Sequence, residues 1–199
     1  MFTTVVDQVL PGSNAERILD AASRCFSRYG FQKTAMEDIA SEAGMSRRSL
    51  YRSFPDKLTL LREVNSRRAG VFLEDIKRST SAISGLSAQI EEVVRLTNRF
   101  VHEDPLTAAM HRADPDALAR AVTTGARELL ETSMAAIIPL IARARDSGEI
   151  RSDIDVRRAA EWMTRVVFSL VATPSVTFDQ DDPAQTSAFV REFLLPGLR

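Results

Sequence analysis

Residues 34–57 read TAMEDIASEAGMSRRSLYRSFPDK, and their spacing predicts two short helices joined by a tight turn. Met36, Ile39, Ala40 and Ala43 recur at helical spacing and make a narrow apolar stripe. Thr34 to Glu37 has the form of a capping box, in which hydroxyl and carboxylate each satisfy an N–H that the first turn leaves open. Gly44 closes this helix. Only Met45 separates it from Ser46, a second N-cap candidate. Helices at about 35–43 and 47–54, with a glycine-containing turn of about three residues between them, have the form of a helix-turn-helix.

Upstream, Ser13 to Glu16 is another capping box, followed by Ile18, Leu19, Ala22 and Phe26 at helical spacing and by Gly30 as a terminator. Downstream, Pro55 and Asp56 start a further helix with Leu58, Leu61, Val64, Phe72 and Ile76 on one side. The Ser/Gly-rich stretch 79–87 reads as a connection, dividing the chain into 1–80 and 81–199. Beyond it helices are expected at about 88–102, 106–112, 116–146 (with Gly125 and Pro139 inside it), 156–172 and 183–195. Strand-like alternation is rare, so the fold class is all-α.

The 47–54 helix carries the chemistry. At about 100° per residue, Leu50 and Phe54 fall together toward the core, and Arg48 and Arg52 fall nearly opposite. Arg47 lies nearer the core side by angle but sits in the first turn, from which it can reach outward. Ser49 flanks the arginines, and Tyr51 either packs beside Leu50 or turns out to a phosphate. Arginine can give two parallel hydrogen bonds to guanine, and serine or tyrosine can bond phosphate. Over 44–57 four basic residues (Arg47, Arg48, Arg52, Lys57) stand against one acid, Asp56, in a chain of net charge -1. Such a face suits a DNA major groove, although a plain solvated face has the same composition.

The run Ala15 to Ala22, with Phe26, Tyr29-Gly30-Phe31, Thr34, Asp38-Ile39-Ala40, Ala43 to Ser46, Leu50-Tyr51, Phe54 to Lys57 and Leu60-Leu61, is similar to the DNA-binding domain of the tetracycline-repressor (TetR) family. The resemblance implies an all-helical homodimer of three-helix N-terminal helix-turn-helix domains on a larger C-terminal helical effector and dimerisation domain. It implies that Arg47, Arg48, Ser49 and Arg52 face bases or nearby phosphates, and that Tyr51 and Ser53 contact phosphate. It places Thr34 on a phosphate at the start of the second helix and Lys57 on one at the start of the fourth. The chain departs from some members in having no Lys or Arg in residues 1–12, so base reading would rest on 47–54 without a basic arm. The partners implied are an inverted-repeat duplex, a second copy of the chain and a small-molecule effector, with release of DNA on effector binding.

In the C-terminal part, Leu130, Met134, Ile137 and Ile141 form a buried stripe. The 156–172 helix is apolar on two sides, with Val156, Ala159, Met163, Val167 and Leu170 on one and Trp162, Val166 and Ser169 on the other. A helix with two apolar faces must be covered twice, so a homodimer through 156–172 and 183–195 is expected, with Phe189, Val190, Phe193 and Leu194 joining it. The resemblance implies the same pair of helices. Between the 88–102, 116–146 and 156–172 helices, Phe100, His111, Met134, Trp162 and Met163 are candidates to line a largely apolar pocket, each of them also suited to ordinary core packing.

His102 and His111 have no ligand-spaced partners, and no phosphate-binding loop or nucleophile elbow is readable. No cofactor, metal or enzymatic activity is therefore expected. The apolar stretches 134–141 and 166–172 are far shorter than the ~20 residues of a membrane span. The start of the chain has no charged leader, and the one cysteine, Cys25, rules out an intrachain disulfide. A cytoplasmic regulator is expected, and Cys25 reads as a small hydrophobe. The alternative is a helical ligand-binding or interaction module with no DNA affinity.

Overall fold

The computed structural model describes residues 13–107, 126–173, 175–180 and 182–198. Among them every regular element is a helix: α1 (Asn14–Tyr29), α2 (Met36–Glu42), α3 (Arg47–Ser53), α4 (Lys57–Ser81), α5 (Leu86–His102), α6 (Ala126–Asp146), α7 (Val156–Ala172) and α8 (Pro183–Phe189). A π-turn over Val190–Leu194 and a 3-10 turn over Leu195–Leu198 follow α8. Residues 1–12, most of the helix expected at 106–112, and the first part of 116–146 with Gly125 lie outside the described residues.

The described residues form two compact units, one of 13–70 with 105–107 and the other of 71–104 with those from 126 onward. The Ser/Gly stretch was the boundary expected at 80; the units part instead at Gly70, inside α4. The reason is visible in α4 itself. Leu60, Leu61 and Val64 enter the first core, and Ile76 enters the second.

In the first unit the apolar stripes meet as their spacing demands. Ile18, Leu19, Ala22 and Phe26 of α1 bury against Met36, Ile39 and Ala40 of α2, Leu50 of α3 and Leu60 of α4. Ser13 accepts the Glu16 N–H and so starts α1. At the end of α2, Met45 N–H donates to Ala40 O and Gly44 N–H to Ser41 O, both at 3.0 Å. That is the Schellman arrangement, and Gly44 supplies the positive φ of 66° that it needs. Arg17 donates to Ala43 O at 2.8 Å and fastens this turn to α1.

The start of α2 differs from expectation. Thr34 is not the cap. Ala35 occupies that position, and its N–H donates to the Asp38 carboxylate at 2.8 Å.

In the second unit, α5, α6 and α7 share one core. Leu130, Met134, Ile137 and Ile141 are buried as expected, and α6 runs through Pro139. α5 begins at Leu86 rather than near 88. Gly85 offers no side chain to cap it, and the Glu149 carboxylate accepts the Leu86 N–H at 2.7 Å instead. The single helix expected at 183–195 ends at Phe189. Beyond it Leu195 N–H reaches back to Val190 O in the wider turn. Pro196 has no N–H to continue the ladder, and Val190, Leu194, Leu195 and Leu198 close the core from this segment.

Candidate nucleic-acid interface

α3 is short, and three contacts hold it. Ser46 caps it by accepting the Ser49 N–H at 3.2 Å. Leu50 and Phe54, one turn apart, are buried in the first core. With that side fixed, the opposite side faces water: Arg48, Arg52 and Ser53 are exposed, and Tyr51 is 45% exposed. Tyr51 therefore turns outward instead of packing beside Leu50. Ser49 is half-buried; its hydroxyl accepts from Ser46 at 3.1 Å, and Ser53 Oγ donates to Ser49 O at 3.4 Å.

The four basic residues of this stretch are not equivalent. Arg48 and Arg52 make no hydrogen bond or ion pair among the described residues. Arg47 pairs with Glu37 of α2 at 3.4 Å. Lys57 is engaged by backbone: its Nζ donates to Phe31 O at 2.7 Å, Thr34 O at 2.8 Å and Gln32 O at 3.3 Å. The Phe31 ring lies 4.5 Å from the same ammonium. An ammonium has three N–H donors, and all three are used. In the chain without DNA the Lys57 ammonium thus lies on the backbone of residues 31–34.

Thr34 is turned inward. It is 1% exposed, and its hydroxyl donates to Gly30 O at 2.8 Å and Cys25 O at 3.3 Å. A hydroxyl committed in this way shapes the loop before α2. Cys25 itself is buried, and burial, followed by the Glu42 and Asp38 carboxylates, pushes its thiol pKa up. An inert thiol is the consequence. Around the motif, Arg24 pairs with Glu42 at 2.6 Å and lowers that carboxyl's pKa through the hydrogen bond, and Arg67 pairs with Asp20.

Of the five candidates for the effector pocket, the four described ones take different positions. Met134 and Met163 are packed in the second core. Phe100 stacks on Phe72 at 4.5 Å between ring centroids. Trp162 is 39% exposed, with its ring against Gly197. Met163 points inward, and its neighbour, turned by one helical step, must point elsewhere. His111 lies outside the described residues. A groove of about 580 Å³ lies along α5 in this unit, lined by Val94, Arg95, Asn98, Arg99, His102 and Thr186 among others. None of the four described candidates lines it. The recurrence of Arg95, Asn98, Arg99 and His102 on one face of α5 is the sequence signal that marks it.

Comparison with known proteins places these features in context. Residues 18–64 match the family model of bacterial regulatory proteins of the tetR family. The HTH-type transcriptional regulator Rv1255c of Mycobacterium tuberculosis is 32% identical over 186 residues, covering 92% of this chain and 84% of the relative. The HTH-type transcriptional repressor KstR of the same organism is 29% identical over 165 residues, covering 75% and 71%. Among solved structures, the regulator FadR of Bacillus subtilis in complex with stearoyl-CoA superposes with a TM-score of 0.64 at 20% identity, covering 92% of this chain and 99% of that one. No helix among the described residues is long and apolar enough to cross a membrane.

Proposed function

Because the chain belongs to the TetR family of bacterial transcriptional regulators, we propose that it acts as a homodimeric repressor that an apolar or amphipathic small molecule releases from an inverted-repeat operator. The observation that carries this reading is the outer face of α3, where Arg48 and Arg52 stand exposed and unpartnered on a helix fixed from behind by Leu50 and Phe54. Arg48 and Arg52 read bases. Ser49, Tyr51 and Ser53 contact phosphates. Arg47 works from the edge under the hold of Glu37. Two copies of α3 would enter successive major grooves about 34–36 Å apart.

The dimer forms through α7 and α8 together with the turns that follow α8. On α7 the second apolar side expected from sequence is only partly covered among the described residues: Trp162 is exposed and Val166 half-buried. Phe178, Phe189 and Phe193 continue it as a ladder with centroid spacings of 5.0 and 5.1 Å, and Phe193 is 60% exposed. Exposed rings such as Phe193 and Trp162 favour burial against a partner.

The effector enters the apolar second unit, on the side of Phe100, Met134 and Met163. KstR is a repressor, which supports repression, and FadR is seen with stearoyl-CoA, which makes a long-chain acyl thioester the class to test first. Its leverage on DNA binding equals its differential affinity for the two states, typically ~1–3 kcal/mol or ~5–150-fold. The setting is the cytoplasm, and the role is regulation, not catalysis.

Selection of the full chain on random duplex DNA at fixed moderate salt tests the reading. Enrichment of an inverted repeat, followed by release with stearoyl-CoA but not with free coenzyme A, is the expected result. A folded dimer that enriches no sequence overturns the DNA-reading role. Release by neither compound overturns the acyl thioester.

A further inference from the structure

We propose that Glu37 of α2 is a specificity-determining positioning residue of the reading head: it acts through the Arg47 guanidinium and needs no contact of its own with DNA. The inference rests on α3 being the helix that meets DNA, and it deepens that reading. Glu37 Oε1 lies 3.4 Å from Arg47 Nη1, across the turn that joins the two helices. Glu37 is half-buried, whereas Arg47 is exposed at the start of α3. The carboxylate is the better-fixed end of the pair, and the guanidinium comes to it.

The other acids of α2 are occupied elsewhere. Asp38 accepts the Ala35 N–H at 2.8 Å, and Glu42 pairs with Arg24 of α1 at 2.6 Å. The first turn of α3 contains no acid of its own. The negative charge beside Arg47 is therefore supplied by Glu37. Arg48 and Arg52 meet no acid among the described residues. One arginine of the reading helix is thus buttressed and two are free.

The buttress changes what Arg47 can do. A free arginine is drawn to any phosphate within reach, and that attraction is blind to sequence. A guanidinium carries five N–H donors in one rigid plane. With Nη1 beside a carboxylate, the plane is restricted in orientation and its remaining donors point in fewer directions. A duplex in matched register meets those donors, and a duplex in random register meets them less often. Glu37 also competes with every phosphate for the same charge. It therefore weakens binding to unmatched DNA more than to matched DNA. An exposed pair is worth little by itself, but a dimer uses it twice, and its loss should narrow discrimination by about 2-fold to 30-fold.

The test uses the full chain with Glu37→Gln, with Arg47→Ala and with both, on the duplex selected from random DNA and on a scrambled duplex of equal length at one salt concentration. The readout is the ratio of the two affinities. With Arg47 present, Glu37→Gln should lower that ratio by about 2-fold to 30-fold, mainly by tightening the scrambled duplex. In the Arg47→Ala background the same change should leave the ratio where it was. Equal tightening on both duplexes makes Glu37 a repelling charge alone and overturns the proposal; so does a fall in the ratio that persists without Arg47. Glu37→Asp keeps the charge and draws it back by one methylene. It should behave as Glu37→Gln does, and it carries the test if Glu37→Gln does not fold. A ratio equal to that of the unaltered protein overturns positioning. An unaltered protein that prefers no duplex refutes the reading of α3 and takes the inference with it, while a sequence preference indifferent to Glu37 refutes the inference alone.

Discussion

Arg48→Ala removes one of the two unpartnered cations of α3 and separates base reading from general attraction to DNA. The side chain is exposed and bonded to nothing in its own chain, so its loss should leave stability within about 0.5 kcal/mol. An arginine bonded through two N–H groups to a guanine edge is worth ~1–3 kcal/mol of discrimination. A symmetric dimer uses the residue twice, which makes about 2–6 kcal/mol if the half-sites add. At ~1.4 kcal/mol per tenfold, the cognate duplex should lose roughly 30-fold to 10⁴-fold in affinity. A scrambled duplex of equal length offers no matched guanine and should change by no more than about threefold. Fluorescence anisotropy on the two duplexes at one salt concentration makes the comparison. Arg47→Ala is the internal control: Glu37 holds that guanidinium at 3.4 Å, so its cognate loss should be smaller. Equal losses on cognate and scrambled DNA for Arg48→Ala would falsify base reading by this residue.

Phe193→Glu should give a folded monomer, because the ring is 60% exposed and a charge there opposes burial in the dimer; sedimentation showing an intact dimer would move the interface elsewhere. Gly70→Ala should stabilise by ~0.5–1 kcal/mol, since Gly70 lies inside α4 without a positive φ and an added Cβ meets nothing within 4 Å. A melting temperature that is unchanged or lowered would refute this. The carboxylate of Asp155 accepts the Arg158 and Arg157 N–H groups at 3.0 Å each, and these bonds hold its pKa below the usual value. A depressed folded pKa contributes stability above the unfolded value, near pH 4, and loses it as pH falls through the folded value. Asp155→Asn should therefore flatten the decline in stability between about pH 5 and 2. Urea titrations across that range check it, and an equally steep decline in the variant refutes it.

The apolar side of the motif was legible because its cause is local. Met36, Ile39, Ala40 and Leu50 repeat at the helical period, and any packing of the two helices has to bury them. The Gly44 turn was legible for the same reason, since the conformation it needs belongs to glycine alone. The TetR likeness rested on the same residues. The start of α2 was not legible. Thr34 with Glu37 and Ala35 with Asp38 offer overlapping starts, and the choice depends on where the Thr34 hydroxyl goes. It goes to Gly30 and Cys25 in the preceding segment. Trp162 and Met163 pose the same problem on α7. Both lie on apolar sides, and only the placement of α5 and α6 decides which one turns inward.

The polar groups that hold the turns share one physical cause. Helix ends and tight turns leave backbone groups open, and long side chains from elsewhere in the chain fill them: Arg17 on Ala43 O, Glu149 on Leu86 N–H, Lys57 on the 31–34 carbonyls. A charge count along the sequence cannot tell such a side chain from one that faces a ligand. In 44–57 the count is four cations, but in the chain without DNA Lys57 lies on carbonyls and Arg47 is shared with Glu37. The charge free to meet DNA on each reading helix is concentrated in Arg48 and Arg52. The pose of α3 rests on the packing of the motif, to which Lys57 and Thr34 contribute through their bonds to the backbone of residues 25–34.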